Sequence, residues 1–181
     1  MNDTQRQRFD RIFDFLDTDG SGAIGREDFE ALAQHILAAT GTAPNSPKAR
    51  ALHDAYRKGW EALSDAADLD GDGRVTRQEF LSRIADPDEG EHSVRRAIDV
   101  VGQAEFQAID ADDDGTISHD ELQRVLVVRG ASGQQAATAF HGLDTDGDGY
   151  ISLNEYRRAW ESFYRADAQD THGESLQAIF A

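Results

Sequence analysis

The chain has 181 residues, 39% of them hydrophobic, enough for a sizeable core in one domain or two small lobes. Its 18 basic and 35 acidic residues give a net charge of −17, a surface that repels nucleic acid and anionic lipid and attracts cations. Cysteine is absent, which excludes disulfides and thiolate metal sites and permits a reducing compartment.

The N-terminus, MNDTQRQRFDRIF, is polar and has no apolar signal core. Position 2 is Asn rather than Gly, which argues against N-myristoylation. An aliphatic run such as Val125–Val128 is far too short to cross a membrane. A soluble, cytoplasmic protein is expected. The preference for Arg over Lys and the abundance of Ala fit a GC-rich bacterial genome.

The first predicted helix, RFDRIFDFL, places Phe9, Ile12, Phe13 and Leu16 on one face. It runs into DTDGSGAIGRED (Asp17–Asp28), a segment poorly suited to regular structure. A second helix follows, with Phe29, Leu32 and Ile36 on its apolar stripe. Pro44 and Pro47 then break the chain within LAATGTAPNSPKARAL. Leu52, Trp60 and Leu63 mark a helix leading to DLDGDGRVTRQE (Asp68–Glu79), and Phe80, Leu81 and Ile84 mark one leaving it. ADPDEGEH, around Pro87 and Gly90, makes a continuous central helix improbable. Ile98, Val101, Phe106 and Ile109 precede DADDDGTISHDE (Asp110–Glu121), and Leu122, Val125 and Leu126 follow it. Ala136, Phe140 and Leu143 precede DTDGDGYISLNE (Asp144–Glu155), and Tyr156, Trp160 and Phe163 follow.

Four twelve-residue loops thus repeat between amphipathic helices. Each has acids at positions 1 and 3, Asp or Ser at 5, Gly at 6, an aliphatic residue at 8 and an acid at 12. Calcium explains this spacing. It is a hard cation that takes roughly six to eight oxygen ligands at about 2.3–2.6 Å. Positions 1, 3 and 5 supply side-chain oxygen, position 7 a backbone carbonyl, and position 12 reaches back with its carboxylate. The candidate ligands are Asp17, Asp19, Ser21, Ala23 and Asp28; Asp68, Asp70, Asp72, Arg74 and Glu79; Asp110, Asp112, Asp114, Thr116 and Glu121; and Asp144, Asp146, Asp148, Tyr150 and Glu155. Ala23, Arg74, Thr116 and Tyr150 offer only the carbonyl, so their identity is free. Ile24, Val75, Ile117 and Ile151 at position 8 should form short antiparallel strand pairs, first loop with second and third with fourth.

These residues resemble the EF-hand superfamily over nearly the whole chain. The loops start at 17, 68, 110 and 144, so their spacing is wide in the first half and tight in the second. That unevenness is similar to the sarcoplasmic calcium-binding proteins and the bacterial calerythrin branch. The resemblance implies an all-α fold of four EF-hands in two paired lobes folded compactly together, with short antiparallel β links. The expected lobes are 1–86 and 93–165, with a linker at 87–92. It also implies a C-terminal tail, 166–181, that packs on the lobes through Leu176, Ile179 and Phe180.

Up to four calcium ions are the expected ligands. The first loop should bind more weakly or tolerate magnesium, because Asp28 is one methylene shorter than Glu and position 5 is Ser21. A calcium buffer is the favoured role: the only methionine is Met1, whereas sensor grooves are lined by adaptable methionines. The alternative is a sensor that opens a groove and regulates a partner protein. Calcium-triggered photoproteins share this architecture, and Tyr56, Trp60, Trp160 and Tyr164 are present, but EYRRAWESFY holds no His where the photoprotein pattern has one. The six histidines show no repeating metal spacing, and no nucleophile–base constellation stands out, so no enzyme is expected. Asp113 and Asp120 lie off the ligand positions and should add only local field. A monomer is expected, with no nucleic acid and no membrane insertion.

Overall fold

Helix entry is set by local capping. Pro47 opens a helix where its fixed φ and missing N–H suit the first turn. The hydroxyl of Ser46, just before it, accepts from the Ala49 amide at 3.0 Å. Ser118 and Ser132 each form a reciprocal capping box, with Glu121 and Gln135 respectively.

The computed structural model describes residues 3–84 and 90–165. In chain order these form α1 (Asp3–Leu16), β1 (Ala23–Ile24), α2 (Arg26–Thr40), α3 (Pro47–Ala67), β2 (Val75–Thr76) and α4 (Arg77–Ile84). There follow α5 (Gly90–Ile109), β3 (Thr116–Ser118), α6 (His119–Val128), α7 (Gly133–Leu143), β4 (Tyr150–Ser152) and α8 (Leu153–Arg165). The break expected around Pro87 and the tail at 166–181 lie outside the described residues. No helix among the described residues is long and apolar enough to cross a membrane.

The strands pair as the position-8 pattern predicts. β1 and β2 are antiparallel with Ile24 opposite Val75; β3 and β4 are antiparallel with Ile117 opposite Ile151. All four of these side chains are fully buried.

Two compact units emerge. One comprises residues 1–33 and 53–101, the other 34–52 and 102–181. The end of α2, both prolines and the start of α3 therefore group with the third and fourth loops. In the first unit Phe13 and Phe80 meet edge to face, ring centroids 5.7 Å apart, and both are fully buried. Phe29 packs on Tyr56 and Trp60 at 6.2 and 5.9 Å. In the second, Phe106 and Tyr156 meet at 5.9 Å, and Leu122, Leu126 and Leu143 are fully buried. Leu16, Leu81 and Trp160, expected on apolar faces, are only half-buried.

Polar contacts also cross these cores. Arg77, the first residue of α4, lays its guanidinium 4.2 Å from the Phe13 ring centre and pairs with Asp10 and Asp14 of α1. The buried Tyr156 hydroxyl donates to Glu105 Oε2 at 2.9 Å, and Arg129 Nη2 lies 3.6 Å from Glu105 Oε1. Burial and the Glu105 charge hold the Tyr156 phenol well above its ordinary range.

Candidate metal centres

Each loop is folded around its position-1 aspartate. Asp17, Asp68, Asp110 and Asp144 each accept the position-6 glycine amide on Oδ2, at 2.9–3.0 Å. Those glycines, Gly22, Gly73, Gly115 and Gly149, have φ between 83 and 89°. That is left-handed backbone, which a Cβ would strain. The other oxygen alternates along the chain. Asp17 and Asp110 take the position-5 amide on Oδ1, whereas Asp68 and Asp144 take the position-4 amide. Position 3 accepts the position-5 amide in every loop, at 2.9–3.2 Å.

Position 12 closes the loop. Glu79, Glu121 and Glu155 each accept the position-2 amide on Oε1 at 2.8–3.0 Å. Their Oε2 takes both the amide and the hydroxyl of Thr76, Ser118 and Ser152 at position 9. These are capping boxes whose anchor is also a candidate metal ligand. The shorter Asp28 makes the same two backbone contacts, to the Thr18 amide at 2.9 Å and the Gly25 amide at 2.7 Å. It lacks a position-9 hydroxyl, because Gly25 stands there; the carboxylate of Glu27 occupies the space a Cβ would fill.

The outcome is four clusters in which carboxylate oxygens lie within 4.8 Å of one another. They are Asp17, Asp19 and Asp28; Asp68, Asp70 and Glu79; Asp110, Asp112 and Glu121; and Asp144, Asp146 and Glu155. Positions 1, 3 and 12 converge as the spacing predicts. At position 5, Asp72, Asp114 and Asp148 accept the position-7 amide on Oδ1 at 2.8–2.9 Å. Ser21 donates its hydroxyl to the Ala23 carbonyl at 2.9 Å. An all-oxygen, anionic donor set of this kind fits a hard divalent cation. Asp17, Asp28, Asp110, Glu121 and Glu155 are buried, so their charges are poorly screened. The second cluster is more open to solvent.

The carboxyl groups are tuned for ionisation. Burial pushes Glu155 up, but the amides and hydroxyls of Ser152 and Thr145 together hold it down at about 2. Glu121 is also held below its ordinary value, with burial overcome by Ser118 and the Ala111 amide. Glu79 is lowered by the Thr76 hydroxyl and amide. Asp110 goes the other way: burial raises it, opposed by the Gly115 amide and the Lys48 charge.

Three basic residues reach the loops. Arg74 pairs across the first two loops with Glu27, and Arg77 ties the second loop's exit to α1. Lys48 reaches the third loop. The contact partners are 47 to 67 residues apart in sequence, and the repeat pattern gave no sign of them. The capping boxes had a signal, Ser or Thr three residues before Glu, in TRQE, SHDE and SLNE.

Four helix–loop–helix units with converging carboxylates, paired two by two through short strands, define a divalent-cation-binding protein. The model of the EF-hand domain pair matches residues 6–85 and 99–161, and the chain belongs to the EF-hand family. It is 34% identical over 143 residues to calerythrin of Saccharopolyspora erythraea, covering 77% of this chain and 78% of calerythrin. Against the sarcoplasmic calcium-binding protein beta chain of Penaeus it is 29% identical over 118 residues, 64% of this chain and 62% of that one. Among solved structures, a Streptomyces coelicolor calcium-binding protein described in terms of prokaryotic calcium-mediated regulation is similar at TM-score 0.74 and 32% identity. That match covers 88% of this chain and 97% of the other. The amphioxus sarcoplasmic calcium-binding protein shares the fold at TM-score 0.74 and 18% identity, covering 100% and 98%. These relatives are calcium-binding proteins rather than enzymes.

Proposed function

We propose that this chain is a four-site calcium buffer, its lobes the pairs 1–86 and 93–165, working as a monomer in the cytoplasm. The observation that supports it is the packing beneath the loops. The strand pairs and the buried Phe13, Phe80, Phe106 and Tyr156 form cores of stiff side chains, without the methionines of an adaptable groove. When bound, calcium supplies two positive charges to each carboxylate cluster. Four ions add eight charges to the formal −17, leaving −9 and relieving the field of the whole chain. The first loop, with three carboxylates at the ligand positions, one of them the short Asp28, is the weakest or the most tolerant of magnesium.

A second reading is a sensor. It is supported by the calcium-mediated regulation named for the Streptomyces protein and by the half-exposed Val127 and Val128 at the end of α6. Hydrophobic-dye fluorescence at fixed magnesium separates the two. A buffer gives dye binding that falls as calcium is added. A strong rise on loading means that an apolar groove opens, and the sensor reading takes over.

A further inference from the structure

Position 4 is Gly20, Gly71 and Gly147 in three loops, at φ of 67 to 74°. The third loop places Asp113 there, at φ 63°, the one non-glycine with positive φ among the described residues. Left-handed backbone disfavours any residue with a Cβ, Asp less than most. Something must favour Asp over Gly at this position. Its carboxylate is held by Lys48 Nζ at 2.8 Å, and the same ammonium donates to the backbone carbonyl of Asp110. Lys48 is three-quarters covered, in the first turn of α3, within the 34–52 segment that groups with this loop. A fixed cation therefore sits against the position-1 residue of the third loop. The first two loops are instead bridged by Arg74 and Glu27, a pair outside positions 1 and 4.

We propose that Lys48 is a built-in counter-cation of the third loop. It stabilises the ion-free loop by neutralising part of its charge, and it lowers that loop's calcium affinity by repelling the incoming ion. Both effects have the same sign, because each favours the ion-free state over the loaded one. Asp113 is the anchor that keeps the ammonium in place, at the expense of a glycine's easier backbone. The inference rests on calcium binding at this loop.

The test is a calcium chloride titration of the full chain, following the Gly115 amide resonance by NMR. This amide lies in the third loop, bonded to Asp110 Oδ2 at 3.0 Å. Lys48→Met should lower the calcium midpoint at Gly115 about threefold to tenfold, the effect of a unit charge several ångströms from a divalent ion in a water-like dielectric. It should also lower Tm in chelator. Lys48→Arg should restore both values, and about 1 M potassium chloride should shrink the difference. In an Asp113→Asn background the effect of Lys48→Met should be much smaller. Lys48→Gln serves where the Met variant folds poorly. An unchanged or higher midpoint in Lys48→Met, or an equal effect in both backgrounds, overturns the inference while leaving calcium binding intact. A Gly115 resonance that ignores calcium in the unaltered chain overturns both.

Discussion

Ser152 and Glu155 are bonded to each other three times. The Ser152 amide and hydroxyl both donate to Glu155 Oε2 at 2.8 Å, and the Glu155 amide donates to the Ser152 hydroxyl at 3.3 Å. The residue that caps α8 thus also orients the position-12 carboxylate of the fourth loop. Ser152→Ala removes a cap and an orienting donor together. It should cost about 1 kcal/mol of stability in chelator, the usual value of an N-cap. It should also weaken calcium binding at this loop, read from the Gly149 amide. A loss of stability with unchanged affinity would restrict Ser152 to the helix.

Acid should act through the same carboxyl. Its value in the folded chain is about 2, below the ordinary 4.5. A lowered carboxyl contributes stability that is fully present above the ordinary value and is lost as pH falls toward the folded one. Urea unfolding in chelator between pH 5 and 2 should therefore show falling stability. Glu155→Gln should flatten that slope, leaving what Glu79 and Glu121 contribute. An unchanged slope would mean that the Ser152 and Thr145 bonds do not hold the carboxylate in solution.

The first loop is the place to test selectivity. Asp28 is buried and reaches the Thr18 and Gly25 amides, but its chain is one methylene short. Asp28→Glu should move the loop toward calcium and away from magnesium, measured as the calcium midpoint of the Gly22 amide at fixed magnesium. A shift toward magnesium would show that the extra methylene is not accommodated in this tight site.

In the second unit, Tyr156→Phe removes the hydroxyl that donates to the buried Glu105. Leaving that carboxylate with one partner fewer should cost about 1–3 kcal/mol. Phe13→Ala in the first unit should cost about 3–5 kcal/mol, because the ring is fully buried against Phe80 and under Arg77. Both are measured by denaturant unfolding, with and without calcium.

The loops were legible because their chemistry is local. Twelve consecutive residues carry the candidate ligands, the position-6 glycine and the strand residue, so Asp17, Asp68, Asp110 and Asp144 could be placed by counting. The helices were legible for the same reason, through stripes such as Phe9, Ile12 and Phe13. What counting does not reveal is any contact made by packing distant segments. Lys48 meets Asp110 across 62 residues, and Tyr156 meets Glu105 across 51. Nor does it show that 34–52 groups with the later loops, since that depends on which apolar faces fit together. The same register does not reveal that Asp72, Asp114 and Asp148 each accept their own position-7 amide.

The alternating acceptors of the position-1 aspartates have a consequence for taking the chain apart. First and third loops share one pattern, second and fourth the other, so the motif that recurs is two hands long. A hand excised alone would carry an unpaired β edge and a bare Ile or Val where its partner strand had been. The smallest fragment that keeps its strands paired is therefore two hands. By the grouping of residues 34–52, a second pair cut at residue 93 would lose the Lys48 that touches its own third loop. Modular dissection of this chain should follow its packing rather than its repeats.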